Sequence, residues 1–101
     1  MFRALRFAIV LCCGMAGAAA AHGSPQLWDA LRSGAAVALV RHAEAPGTGD
    51  PAGFRLDDCS TQRNLSPAGR AQAARLGDSF RRQGIAGAEI RSSAWCRCRD
   101  T

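Results

Sequence analysis

The chain has 101 residues, 13 of them basic and 8 acidic, which gives a formal net charge of +5 and leaves room for one domain at most. Every basic residue is arginine. Because no basic run is interleaved with aromatic residues, the positive charge does not indicate a nucleic-acid-binding protein.

The first 21 residues have the pattern of a secretory signal peptide. Arg3 and Arg6 form a positive start, residues 7–15 are apolar, and alanines precede the cleavage point. The apolar stretch is too short for a transmembrane anchor. We therefore predict a signal peptide over residues 1–21 and a mature domain over residues 22–101, periplasmic or secreted, with no stable membrane anchor.

A helix, a strand and a loop are predicted in the first half of the mature chain. Ser24-Pro25 opens the helix, because serine is a favourable N-cap and proline suits the first helical position, and Gly34 ends it. The apolar run Ala35–Arg41 is bounded by turn signals and predicts a buried strand of a parallel sheet. Turn residues recur from Glu44 to Leu65 and predict a long loop.

The second half repeats the helix signals and adds a weaker strand. Ser66-Pro67 opens a helix that runs to about Arg82, and Gly84 closes it. Ala88–Ser92 predicts the second strand. The order strand, loop, helix, strand is that of a right-handed βαβ unit with parallel strands. The predicted fold class is therefore α/β, with a parallel sheet flanked by helices.

The candidate functional residues follow the two predicted strands. Sites in open parallel sheets lie beyond the carboxyl ends of the strands. Arg41 and His42 end the first strand and Arg97 follows the second, so the topology places all three at one edge. A guanidinium suits phosphate oxygens, and an imidazole can act as a nucleophile. The pattern predicts a site that binds a phosphoryl group and attacks it.

Three segments together resemble the histidine phosphatase (phosphoglycerate mutase-like) superfamily, in an exported bacterial form. They are Arg41-His42-Ala43-Glu44, the helix-opening segment 64–73, and Ser92-Ser93-Ala94-Trp95-Cys96-Arg97. The resemblance covers residues 37–101. It departs from the family at Ala43, where glycine is more common.

The resemblance implies a role for each matching residue. His42 would be the nucleophile that becomes transiently phosphorylated, Arg41 and Arg97 would bind the phosphoryl oxygens, and no metal or organic cofactor would be required. Arg63 either flanks the phosphate pocket or caps a helix. The family has a second histidine and an acidic proton donor later in the domain, whereas the only other histidine here is His22. We therefore expect an N-terminal, incomplete domain that is inactive as an isolated chain.

Three cysteines remain after the predicted cleavage. In an exported protein, Cys59, Cys96 and Cys98 permit one disulfide and leave one thiol. A bond from Cys59 to either of the other two would tie the long loop to the last motif. Their spacing lacks the paired C-x-x-C of zinc sites, so no metal is predicted.

The leading hypothesis for the function is a phosphomonoesterase that works through a phosphohistidine intermediate. Its substrate would be a phosphorylated small molecule or a phosphoprotein. Two other hypotheses stay open. One is a non-catalytic module that binds phosphate or a phospholigand, and the other is a non-functional fragment.

Overall fold

A computed structural model describes residues 23–101. In this range the chain forms three α-helices joined by long irregular segments. They are α1 (Pro25–Arg32), α2 (Pro67–Arg82) and α3 (Cys96–Arg99), with a short 3-10 turn at Cys59–Thr61. None of these helices has the length and apolarity that a bilayer crossing requires. The predicted signal peptide, residues 1–21, and His22 lie outside the described residues.

The two longer helices confirm the sequence prediction, because their end signals are local. Ser24 and Ser66 are the N-caps, and each hydroxyl accepts a backbone N–H from the first turn of its helix. A proline follows each cap. Gly34 and Gly84 lie just beyond the helix ends with φ of 76°, in the left-handed region that glycine adopts without steric cost.

The predicted parallel sheet is wrong. Residues 23–101 contain no strand, and the long loop holds the one isolated β-bridge of that range. The predicted strands Ala35–Arg41 and Ala88–Ser92 have no regular secondary structure, and their apolar side chains are exposed, Leu39 by 95% and Ile90 by 87%. An apolar run becomes a strand only when neighbouring backbone pairs with it, and two strands alone are marginal in water. The α/β, βαβ assignment therefore gives way to helices and loops.

A small core lies between α2 and the segment 43–45, which directly follows His42. The buried apolar residues there are Ala43, Ala45, Leu65 and Ala73. The Glu44 carbonyl accepts the Ser66 N–H at 3.0 Å, and the Glu44 N–H donates to Gln72 Oε1 at 3.0 Å. Helix α2 thus packs on the chain after His42 instead of crossing a sheet.

The long loop is held in place against α3. Buried Gln62 donates to the Arg55 carbonyl at 2.7 Å and accepts the Cys96 N–H at 3.0 Å. Cys59 and Cys96 form a disulfide with a sequence separation of 37 residues. Closing a loop of that length in the unfolded chain stabilises the folded state by about 4 kcal/mol in the chain-entropy model.

Helix α1 packs at the other end of α2. The Trp28 and Phe80 rings meet edge-on with centroids 5.7 Å apart. Arg32 Nη1 donates to the Gln83 carbonyl at 2.7 Å, at the C-cap of α2. These contacts are made at the C-terminal end of α2, whereas the segment 43–45 packs against its first two turns.

Candidate functional site

A cavity of about 530 Å³ opens beside the chain at His42. Its walls come from the segment 41–45, the turn at residues 47–49, and the side chains of Arg63 and Gln72. Arg41, His42 and Arg63 therefore share one cavity. The alternative role for Arg63, as a helix cap, is not the one that it takes: the caps of the described helices are other residues.

His42 has a defined tautomer when its ring is neutral. Its Nδ1 lies 2.7 Å from the carbonyl oxygen of Ala43. Because a carbonyl oxygen only accepts, Nδ1 carries the hydrogen and Nε2 carries the lone pair. Nε2 makes no hydrogen bond within residues 23–101. A half-buried imidazole with an unshared Nε2 lone pair is the form of histidine that acts as a nucleophile.

Arg63 is anchored through two of the three nitrogens of its guanidinium. Its Nε donates to the Gly49 carbonyl at 2.8 Å, and its Nη1 donates to the Ala45 carbonyl. Nη2 has no hydrogen-bond acceptor in the described part of the chain. The guanidinium thus has a fixed orientation and keeps donors available for an anion.

The cavity wall carries two guanidinium groups that form no ion pair with a carboxylate in residues 23–101. Six of the eleven arginines in residues 23–101 form ion pairs with carboxylates, namely Arg32, Arg55, Arg70, Arg81, Arg91 and Arg97. Arg41 and Arg63 are not among them, and the Arg41 guanidinium makes no hydrogen bond in that range. Two unpaired guanidinium groups beside a histidine favour an anionic ligand.

Glu44 is the carboxylate that lines this cavity. Its Oε2 accepts the hydroxyl hydrogen of Ser66, the N-cap of α2. The start of a helix carries a partial positive charge that favours a carboxylate at this place. The two cavity arginines outnumber Glu44, so the wall stays net positive.

Arg97 lies near the cavity but does not line it. Its Nη1 donates to Asp50 Oδ1 at 2.9 Å and Oδ2 at 3.2 Å, and both side chains are at most 10% exposed. The guanidinium also stacks over the Trp95 ring at 4.6 Å from its centroid. Thr101 links this region to the site, because its hydroxyl accepts the Ala43 N–H at 3.0 Å and donates to the Arg97 carbonyl at 2.7 Å. Loops and α3, not strand ends, connect Arg97 to the chain next to His42.

Asp50 is the site residue that the sequence analysis missed. Burial alone would raise the pKa of its carboxyl, but hydrogen bonds from the Arg63 N–H and from Arg97, with both positive charges, hold that pKa below its ordinary value. The only sequence signal was its place in the Gly49-Asp50-Pro51 turn. A turn aspartate is usually exposed, so nothing marked this one as buried.

The cysteines form one of the pairings that the sequence left open. Cys59 bonds to Cys96, with Cα atoms 5.7 Å apart, and Cys98 is a half-buried thiol. No cluster of histidine, cysteine and carboxylate side chains in residues 23–101 is arranged to hold a metal ion.

The chain matches no protein-family model, no curated protein and no solved structure. The candidate site is therefore defined by its own geometry. It is a cavity in which His42, whose Nε2 makes no hydrogen bond among residues 23–101, lies beside Arg41 and Arg63, which form no ion pair in that range.

Proposed function

We propose that this chain carries the phosphate-binding and nucleophilic part of a phosphomonoesterase that works through a phosphohistidine intermediate. One observation supports this most strongly: Arg41, His42 and Arg63 line the same cavity, with His42 Nδ1 bonded to a carbonyl oxygen. The substrate is a phosphorylated small molecule or a phosphoprotein.

The chemistry divides between one nucleophile and two cations. The lone pair of His42 Nε2 attacks phosphorus, a P–N bond forms, and the ester P–O bond breaks. The leaving oxygen departs as an alkoxide and takes a proton from solvent to become the alcohol. Arg41 and Arg63 offset the charge on the phosphoryl oxygens as it spreads in the transition state. Water then attacks phosphorus, the P–N bond breaks, and inorganic phosphate and neutral His42 result.

The disulfide supports the proposed location outside the cytoplasm. Cys59–Cys96 ties the long loop to α3, and such bonds persist in oxidising compartments. This agrees with the periplasmic or secreted location that the signal-peptide pattern predicts.

Hydrolysis of p-nitrophenyl phosphate tests the proposal. Its leaving group departs without a proton donor, so the assay depends on nucleophile and phosphate pocket alone. The protein expressed from its complete gene is expected to hydrolyse this ester, and His42→Ala is expected to abolish hydrolysis. Arg75→Ala, an exposed arginine on α2 away from the cavity, is the matched control. Full activity in His42→Ala would end the proposal.

A second candidate function is a module that binds phosphate without turnover. The composition of the cavity wall favours it. The wall contains one histidine and one carboxylate, and that carboxylate, Glu44, is already hydrogen-bonded to Ser66, so the wall offers no second free acid or base for turnover. It predicts saturable phosphate binding, no hydrolysis of p-nitrophenyl phosphate, and equal affinity in His42→Ala.

A further inference from the structure

Asp50 and Arg97 together hold the main chain of Arg63. Asp50 Oδ1 accepts the Arg63 N–H at 2.9 Å, and Arg97 Nη1 donates to the Arg63 carbonyl at 3.3 Å. The two side chains also bind each other at 2.9 Å. Both polar groups of the Arg63 peptide backbone are thus fixed by one buried ion pair.

The side chain of Arg63 is oriented by the same turn. Its Nε donates to the carbonyl of Gly49, the residue before Asp50. Gly49 has φ of 69°, a left-handed conformation that glycine adopts readily. Asp50 therefore fixes residue 63 directly, through its backbone, and its neighbour fixes the guanidinium at the cavity wall.

Arg97 and Arg63 differ in whether a carboxylate pairs with the guanidinium. Asp50 neutralises Arg97, which is nine-tenths buried and stacked on Trp95. The Arg63 guanidinium acts on Asp50 only at longer range, forms no ion pair in residues 23–101, and lines the cavity. A buried ion pair contributes little to stability on balance but can enforce one geometry, because either partner left alone is an uncompensated buried charge.

We propose that Asp50 is a positioning residue for anion binding, which acts by holding Arg63 at the cavity wall with the help of Arg97. This role rests on the proposed function, since it presupposes that the cavity takes a phosphoryl anion. It gives Arg97 an indirect part in binding, through the Arg63 backbone, in place of direct contact with the phosphoryl oxygens.

Binding of inorganic phosphate, measured by calorimetry, tests this role. Asp50→Asn keeps the size of the side chain and removes its charge. Both Asp50→Asn and Arg63→Ala are expected to weaken phosphate binding roughly tenfold. Asp57→Asn is the matched control, because this exposed aspartate of the same loop pairs with Arg55 and not with the cavity. Its affinity is expected to equal that of the unaltered protein.

A double-mutant cycle separates positioning from a general loss of structure. If Asp50 acts through Arg63, the Asp50→Asn/Arg63→Ala variant binds phosphate no more weakly than Arg63→Ala alone. Circular dichroism establishes that each variant is folded at the temperature of the titration. Should Asp50→Asn not fold, Asp50→Glu, which keeps the charge and shifts it by one methylene, enters the same cycle.

The outcomes distinguish this role from the function on which it rests. Additive losses in the cycle, or unchanged or tighter phosphate binding by Asp50→Asn, would overturn the positioning role and leave the anion pocket standing. Absence of phosphate binding by the unaltered protein would overturn the proposed function and the role of Asp50 with it.

Discussion

Gly69, in the first turn of α2, lies directly against the main-chain carbonyl of Glu44, and a Cβ atom at position 69 would overlap that oxygen. The same oxygen accepts the Ser66 N–H. The start of α2 is therefore docked on the chain two residues after His42. This contact fixes the position of the His42 segment relative to α2.

Two glycine-to-alanine substitutions in α2 are expected to change the free energy of unfolding in opposite directions. Gly69→Ala forces backbone apart at the Glu44 carbonyl, so we expect it to destabilise the fold by about 1–3 kcal/mol. At Gly77 an added Cβ would meet only the flexible Arg81 guanidinium at 3.5 Å. Because alanine favours helix over glycine, Gly77→Ala is expected to stabilise by about 0.5–1 kcal/mol. Urea unfolding measures both, and equal effects would contradict the close contact.

Helices α1 and α2 were predictable from sequence because their signals are local, whereas α3 (Cys96–Arg99) was not predicted. Ser24 and Ser66 cap within their own first turns, and the glycines that end the helices need no distant partner. The sheet was predicted wrongly because strand formation is not decided by local signals. A strand depends on a neighbour far along the chain, and the apolar run Ala35–Arg41 finds none among residues 23–101.

The exposure of the first predicted strand gives a second test. Leu39→Ala is expected to change the free energy of unfolding by less than about 0.5 kcal/mol, since its side chain already contacts water. Leu65→Ala removes a leucine from the core and is expected to cost about 2–5 kcal/mol. A large loss from Leu39→Ala in urea unfolding would show that this run is buried after all.

The candidate site was only partly predictable, for a related reason. The motif residues Arg41 and His42 are adjacent in sequence, so their backbones stay together in any fold, and in this structure both line the cavity. Arg97 and Asp50 lie 47 positions apart, and only the tertiary structure shows that they pair. The predicted βαβ topology placed Arg97 in the pocket. That argument could not foresee that a carboxylate, Asp50, pairs with the Arg97 guanidinium.

The low pKa of Asp50 predicts how stability depends on pH. A carboxyl whose pKa is lower in the folded state stabilises the fold above its ordinary pKa of 3.8, and this contribution is lost as the pH falls through the lower folded value. Asp50→Asn should therefore flatten the loss of stability in acid, measured by urea unfolding from about pH 2 to about pH 6.

Asp57→Asn is the control for the pH experiment. A hydrogen bond from Arg55 also lowers the pKa of Asp57, but this pair is exposed and screened by solvent. Asp57→Asn should therefore change the loss of stability in acid less than Asp50→Asn does. A larger effect from Asp57→Asn than from Asp50→Asn would contradict the buried pair.

Arg41 is expected to bind the anion directly. Its guanidinium has no partner in residues 23–101 and lines the cavity, so Arg41→Ala should weaken the binding of inorganic phosphate by roughly tenfold or more. Arg75→Ala removes an exposed arginine of α2 and should leave the affinity unchanged. Equal losses in the two variants, measured by calorimetry at fixed ionic strength, would mean that only net charge matters.

Mapping of the phosphoryl group during turnover tests the nucleophilic role of His42 most directly. The protein as its gene encodes it is mixed with p-nitrophenyl phosphate, quenched in alkali, where phosphohistidine survives, and digested for mass spectrometry. We expect the phosphoryl group on the peptide that contains His42, and its disappearance once substrate is exhausted. Release of p-nitrophenol without phosphorylation of His42, or with the label on another residue, would contradict the account.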